Sequence, residues 1–234
     1  MDIEKGEWFY KWFDSPLYHQ LYKNRDDEEA HNFLDLLIKQ LGIERGARIL
    51  DLGCGRGRYA KYLGSRGFNV LGADLSANSI DYARQFEHEK LQFRVHDMRQ
   101  PIENESFNYI LNLFTSFGYF NTDDEDKAVM TAMRKSMKKD GTLVIDYING
   151  ERAVRDLVKQ EVVELDDLRF NISRWVDNNR IYKSIDVDNQ QFREEVKLLS
   201  LDQFEEYAGA TGFRIDSVFG NYQLDPFENE QSDR

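Results

Sequence analysis

Apolar residues recur along this chain with two periods, and the change of period divides it. Ala30, Phe33, Leu34, Leu37, Ile38 and Leu41 fall on one face of a helix running from Asp26 to Leu41, and Gly42 ends it. Short apolar runs then alternate with helical stretches. The run Arg48–Leu52 predicts a strand that leads through a glycine cluster into a helix carrying Tyr59, Ala60 and Leu63. Further strands are predicted at Asn69–Asp74, Leu91–His96, Tyr109–Phe114 and Thr142–Tyr147, with helices at Ala77–Phe86 and Asp123–Met137. Strands separated by helices at this spacing call for βαβ crossovers, and so for an α/β fold with a mostly parallel sheet covered on both faces.

Near residue 160 the period drops to two. Leu168, Phe170, Ile172 and Val176, then Ile181, Lys183, Ile185 and Val187, alternate with polar residues as half-buried antiparallel strands do. Asp177-Asn178-Asn179-Arg180 supplies the turn between them, and residues up to Leu199 can form a third strand. Residues 161–199 therefore read as a small inserted sheet. Ser200 caps a following helix that Gly212 closes, and Phe213–Phe219 returns to strand. Ahead of all this, Trp8, Phe9, Tyr10, Trp12, Phe13, Tyr18 and Tyr22 crowd into fifteen positions. Such density suits either an amphipathic cap on the core or a lid over a ligand. The expected organisation is an aromatic segment at 1–25, a core at 26–160, the insertion at 161–199, and the last helix and strand of the core at 200–234.

Of 234 residues, 63 are Leu, Ile, Val or Phe, enough apolar content to argue against a disordered chain. The length suits one large domain with an insertion. Three prolines and 15 glycines without tracts exclude collagen-like, mucin-like and linker architectures. The net charge is −12, and the acidic residues are spread along the chain. The tightest basic group, Arg134-Lys135 with Lys138-Lys139, reads as a solvated helix face. No nucleic-acid partner is expected on such a surface, and an acidic surface likewise disfavours anionic lipid. No apolar run approaches the length of a membrane span and no secretory signal is visible at the start. One cysteine, Cys54, forms no intramolecular disulfide, so a cytoplasmic location is the expectation.

The segment Asp51-Leu52-Gly53-Cys54-Gly55-Arg56-Gly57-Arg58 joins a strand end to a helix start. Glycines there let the backbone approach a ligand closely, and the helix N-terminus offers it unpaired N–H groups. Asp74 ends the second strand, where a carboxylate accepts both hydroxyls of a ribose. Asp97 follows the third, where a carboxylate accepts the exocyclic amine of an adenine. Three acidic residues at successive strand ends make a pattern that none of them makes alone.

On these residues the chain resembles the class I S-adenosylmethionine-dependent methyltransferases. The match comprises Asp51, Gly53, Gly55 and Gly57, then Val70-Leu71-Gly72-Ala73-Asp74-Leu75-Ser76, His96-Asp97-Met98, Phe107-Asn108-Tyr109-Ile110 and Lys139-Asp140-Gly141-Thr142-Leu143. The run Leu113-Phe114-Thr115-Ser116-Phe117-Gly118-Tyr119-Phe120 resembles a small-molecule branch with an antiparallel insertion before the last helix. The resemblance implies a Rossmann-like, seven-stranded-type sheet with S-adenosylmethionine as cofactor and S-adenosylhomocysteine as product. It implies that Asp51 and the backbone of Gly53, Cys54, Gly55 and Gly57 face the amino-acid portion of the cofactor. Asp74 would hold the ribose and Leu75 pack on adenine. Asp97 and Met98 would meet the adenine edge and face, with Asn112 and Leu113 on the methionine side. Tyr18 and Tyr22 of the aromatic segment complete the expected cofactor contacts.

Methyl transfer from a sulfonium is an in-line displacement, served mainly by alignment and exclusion of water. No metal is expected, and His19, His31, His88 and His96 show no ligand spacing. The expected partner is a small-molecule acceptor at nitrogen or oxygen. Tyr119 and Tyr147, with Tyr10, Tyr18 and Tyr22, are candidates for orienting it. Two rivals stand beside this reading. A nicotinamide dehydrogenase also uses a glycine turn and an acidic second-strand end, but its spacing asks for glycine where Arg58 stands. A catalytically silent cofactor-binding protein would keep the turn and lack turnover. Relatives of this fold also end in a further antiparallel strand, whereas Asp225-Pro226-Phe227 leads into a polar stretch here. Either the chain given is shortened or the sheet keeps an unpaired edge.

Overall fold

A computed structural model describes residues 8–23, 27–102 and 106–234. Its central sheet is wholly parallel and contains five strands: β1 (Arg48–Leu52), β2 (Asn69–Asp74), β3 (Leu91–Val95), β4 (Phe107–Asn112) and β5 (Met137–Ile145). They lie in the order β3-β2-β1-β4-β5. Successive side chains of each strand enter opposite layers. Ile49, Val70 and Leu111 join Phe33, Leu63 and Leu91 on one face; Leu50, Leu71 and Ile110 join Val129, Met133 and Tyr207 on the other.

The first face is covered by α3 (Asp27–Leu41), α4 (Arg58–Ser65) and α5 (Ala77–Arg84). The second is covered by α6 (Asp123–Ser136) and α8 (Leu201–Thr211). Both α6 and α8 begin with reciprocal capping boxes, Thr122 with Glu125 and Ser200 with Gln203. Gly212 closes α8 at φ 80°. The strand order reverses between β1 and β4, and in such sheets the crevice for a ligand lies beyond the carboxyl ends of those two strands.

A short helix, α7 (Gly150–Arg155), leads to a second, antiparallel sheet: β6 (Gln160–Leu165), β7 (Leu168–Asp177), β8 (Arg180–Val187) and β9 (Gln190–Lys197), in that order. It has four strands where the alternation pattern suggested three. β6 escapes that pattern because its valines, Val162 and Val163, are adjacent and Val162 is exposed. Asn178 and Asn179 stand at φ 45° and 58° between β7 and β8, and Asp188 and Asn189 at 50° and 56° between β8 and β9. Consecutive left-handed residues are what two-residue hairpins need. The aromatic segment forms α1 (Trp8–Phe13) and α2 (Pro16–Leu21); residues 1–7, 24 and 25 of the expected 1–25 unit lie outside the described residues. Trp12, fully buried, packs with Phe170, Ile172, Ile185, Val187 and Phe192 on the inner face of the small sheet.

The strand expected at Phe213–Phe219 is not formed. Arg214–Val218 are exposed and only an isolated bridge links Phe219 to Pro226. The alternating sequence is present there, but no neighbouring strand pairs with it, and the central sheet stops at β5. Leu143, Val144 and Ile145, which a further strand would bury, are half-buried. Beyond Gly220 the chain folds as a loop. The N–H of Gly220 donates to the Asp225 carbonyl at 2.8 Å, and Asp233 N–H returns to the Gly220 carbonyl at 2.9 Å.

Candidate active site

The crevice at the reversal point is a cavity of about 400 Å³. Its floor is the turn after β1. Gly53, Gly55 and Gly57 all stand in the left-handed region, at φ 81°, 53° and 77°. A Cβ on Gly53 would come within 2.8 Å of Ser116 Cβ, and one on Gly57 within 2.5 Å of the Phe93 ring. A Cβ on Gly55 meets nothing within 4 Å, although the backbone there still requires glycine. The turn is thus packed from behind at two glycines and open at the middle one. Gly53, Cys54 and Gly55 line the cavity; Gly57 does not.

Asp74 accepts from Gly55 N–H at 2.8 Å through Oδ2 and from Ser76 N–H at 2.8 Å through Oδ1. Burial pushes its carboxyl upward, the Ser76 and Gly55 amides oppose that, and nearby Asp14 adds to the rise. Asp51 is buried behind the turn and accepts from Ala60 N–H at 3.0 Å, so it caps the first turn of α4 and does not line the cavity. Burial raises it to about 7; the Ala60 amide works against this and Asp74 adds to it. The same burial, with Asp51 and Asp74 close by, pushes the Cys54 thiol well up, which disfavours the thiolate a nucleophile needs.

Leu75, Asp97 and Met98 line the cavity as expected. The Asp97 carboxylate is gripped by its own neighbour, with Arg99 Nε at 3.1 and 3.0 Å from its two oxygens and a terminal nitrogen at 2.7 Å. Burial opposes ionisation there, yet the Arg99 hydrogen bonds outweigh it and hold the carboxyl below its ordinary range. On the other wall, Leu113 lines the cavity, whereas Asn112 is buried beneath and donates Nδ2–H to the Leu52 carbonyl at 2.8 Å. The Asn112 Oδ1 is buried without a hydrogen-bond partner among the described residues.

Of the tyrosines, Tyr10, Tyr18, Tyr22, Tyr59 and Tyr119 line the cavity. Tyr119 donates to the Thr115 carbonyl and stands beside the Trp8 and Phe13 rings at 5.3 and 5.4 Å. Tyr147 does not line the cavity. It is buried, its hydroxyl donates to the Lys197 carbonyl at 2.7 Å, and a Cβ on Gly118 would meet that hydroxyl at 2.2 Å. It therefore supports the loop after β4 from beneath, and direct orientation of an acceptor by Tyr147 is set aside.

Sequence reasoning missed two carboxylates that fasten the aromatic helices over the cavity. Asp14 Oδ1 lies 2.7 Å from Ser76 Oγ and accepts from Asn78 N–H at 3.1 Å, while Asn78 Nδ2 reaches its Oδ2 at 2.8 Å. Glu194 on β9 accepts from Trp12 Nε1 at 2.6 Å and from the Tyr22 hydroxyl at 2.8 Å, with Lys183 Nζ 3.4 Å away. Neither partner choice has a sequence signal, because the pairs lie 62 to 182 residues apart. Arg56, inside the glycine turn, and Arg58, the first residue of α4, also line the cavity, and no role was assigned to either from the sequence.

The donors fit an adenosyl cofactor. The left-handed turn leaves its middle glycine open, a half-buried carboxylate stands at the tip of β2, and the cavity has the size of a small-molecule site. Among the described residues no group of three or more His, Cys, Asp and Glu side chains is placed to hold a metal, and no helix is long and apolar enough to cross a membrane.

Fold and site together define a Rossmann-like α/β protein with a cavity at the strand reversal. Residues 49–141 match the model of a family described as a methyltransferase domain. A protein of Geobacillus sp. (strain WCH70) with a provisional methyltransferase name is 28% identical over 143 residues, which cover 60% of this chain. The chain spans about half the length of that relative, 56%. Among solved structures, an S-adenosylmethionine-dependent methyltransferase from Clostridium acetobutylicum shares the fold with a TM-score of 0.78 at 16% identity, over 93% of both chains. An amino pentose methyltransferase from Micromonospora echinaspora, solved with S-adenosylmethionine bound, gives 0.68 at 21% identity over 88% of this chain and 92% of its own. The sequence match makes residues 49–141 similar to a methyltransferase domain, and the fold is one that solved S-adenosylmethionine-dependent methyltransferases share.

Proposed function

We propose that this protein transfers a methyl group from S-adenosylmethionine to nitrogen or oxygen of a small-molecule acceptor. The observation that carries this reading is the open left-handed turn at Gly55, hydrogen-bonded to Asp74 on the floor of the cavity at the strand reversal. In this reading the Gly53–Gly55 backbone and Leu113 hold the methionine portion, Asp74 the ribose, and Leu75, Asp97 and Met98 the adenine. Asp51, Gly57 and Asn112 act one layer behind, keeping the turn and the end of β4 in shape. When bound, the cofactor supplies an activated methyl group on a sulfonium.

The chain's own part is alignment and dryness. Tyr18, Tyr22 and Tyr119 bring aromatic surface and hydroxyls to the roof, where they orient the acceptor and exclude water. An amine acceptor needs only to be bound with its lone pair free, so no general base is required for it. The proposed organisation is an aromatic lid at 1–25, a cofactor-binding core at 26–160, an acceptor-side insertion at 161–199 and a closing segment at 200–234. The known amino pentose acceptor of the Micromonospora protein supports the small-molecule class, and the lone buried Cys54 suits a cytoplasmic setting.

The test is incubation with S-adenosylmethionine and a pool of metabolites, read by mass shift, with Asp74→Ala as control. A product heavier by one methyl, formed with S-adenosylhomocysteine and lost in the control, is the expected result. Binding of the cofactor without any S-adenosylhomocysteine would instead mark a silent binder.

A further inference from the structure

Phe114 and Thr115, consecutive residues on the cavity wall after β4, both stand in the left-handed region, at φ 58° and 56°. Neither is glycine, and residues with a Cβ persist there only where their surroundings over-determine them. Asp146 holds both backbones, one through its carboxylate and one through its carbonyl. Phe114 N–H donates to Asp146 Oδ2 at 2.7 Å, and Thr115 N–H donates to the Asp146 carbonyl at 3.0 Å. Asp146 follows β5 and its side chain is 5% exposed.

That carboxylate is gripped in turn from the C-terminal segment. Arg234 Nε donates to Oδ1 at 2.6 Å and the Tyr222 hydroxyl to Oδ2 at 3.1 Å. A terminal nitrogen of Arg234 also reaches Thr115 Oγ1 at 2.9 Å. Without the guanidinium, Asp146 would be a buried charge lacking its cation, which is costly enough to turn it toward water and away from the loop. The wall so held is functional surface: Phe114 and Ser116 line the cavity, and Ser116 packs against Gly53 of the turn.

We propose that Asp146, Tyr222 and Arg234 are positioning residues that hold the Phe114–Ser116 wall in the shape the cofactor needs, so that the C-terminal segment completes the site from 76 to 88 residues beyond Asp146. This rests on the methyltransferase reading of the cavity. The clamp ties the segment after α8 to the residue that follows β5.

The experiment measures S-adenosylhomocysteine binding by calorimetry, together with amide hydrogen exchange at Phe114, in the full chain. Arg234→Gln and Asp146→Asn are expected to weaken binding by about 10-fold or more, the loss of one charge-assisted hydrogen bond, and to speed Phe114 exchange. Arg234→Lys keeps the charge and recovers part of the loss. Tyr222→Phe costs about 2- to 3-fold and serves if Arg234→Gln does not fold. Arg152→Gln breaks a different fastening of the same segment, the Arg152–Asp233 pair at 2.7 Å, and leaves binding unchanged. Wild-type affinity in Arg234→Gln and Asp146→Asn, or an equal loss in Arg152→Gln, would overturn the proposal. If the wild type itself binds no S-adenosylhomocysteine, the methyltransferase reading fails and Phe114 exchange alone decides: faster in Arg234→Gln supports the clamp, unchanged overturns it.

Discussion

The floor and the roof of the cavity are built on opposite principles. The floor is local: Gly55 meets Asp74 across 19 residues and Asp51 meets Ala60 across nine, all within one βαβ unit. The roof is assembled from afar, with Trp12 and Tyr22 meeting Glu194 across 182 and 172 residues. The floor also uses backbone conformations only glycine adopts readily, whereas the roof uses ordinary side chains in a specific arrangement. A site of this kind has a fixed half that reads a constant ligand and a separately fastened half that is free to vary with the second one. That fits a cofactor below and an acceptor above.

Substitutions break this contrast with graded force. Asp74→Ala removes the floor's anion and leaves the Gly55 and Ser76 amides without their acceptor. In the proposed reading both ribose hydroxyls also lose their acceptor, so S-adenosylhomocysteine affinity is expected to fall by about 100-fold or more, two hydrogen bonds to a charged group being worth roughly 1.5–3 kcal/mol each; titration calorimetry reads it. Gly57→Ala forces a Cβ into the Phe93 ring at φ 77°, combining left-handed strain with overpacking. A loss of about 2–4 kcal/mol in urea unfolding is expected, with the roof sheet unaffected by circular dichroism of its aromatic bands.

Asp51 sharpens the contrast through pH. Its carboxyl ionises near 3.8 when unfolded and near 7 when folded, so between those values the folded chain holds the extra proton. Stability from this group therefore falls as pH rises through that window and is flat above it. Asp51→Asn should flatten the stability profile between pH 4 and 7 and raise stability at pH 8, as urea unfolding across that range would read. Residual slope comes from Asp74 and from Asp126, which burial raises to about 6 against the opposing Lys197 pair. The smallest effect belongs to the roof. Glu194→Gln keeps an acceptor but loses the charge facing Lys183, and costs about 1 kcal/mol. It should slow turnover a few-fold while cofactor affinity stays near wild type, a split that steady-state kinetics resolves.

The same contrast explains what was legible in the sequence. The parallel core was readable because each strand, turn and helix announces itself within about 25 residues: Asp51 to Gly57, the strand ending in Asp74, the capping box at Thr122. The inserted sheet was readable from alternation in β7 and β8, but not β6, whose adjacent valines carry no period. Phe213–Phe219 shows the opposite failure. It has strand alternation and no partner, and a strand is a property of two segments. The aromatic density of residues 8–22 suits a cap or a lid alike; which carboxylates fasten it, Asp14 and Glu194, depends on three-dimensional proximity alone. Tyr147 and Asn112 were placed one layer too far forward, since sequence position gives the strand end but not whether a side chain stands in the cavity or under it.

The most direct test of the account is titration of the purified chain with S-adenosylmethionine, S-adenosylhomocysteine and NADH in parallel. Saturable micromolar binding of the first two, absent for NADH and lost in Asp74→Ala, is the predicted result. Binding of NADH with none of either adenosyl compound would contradict it.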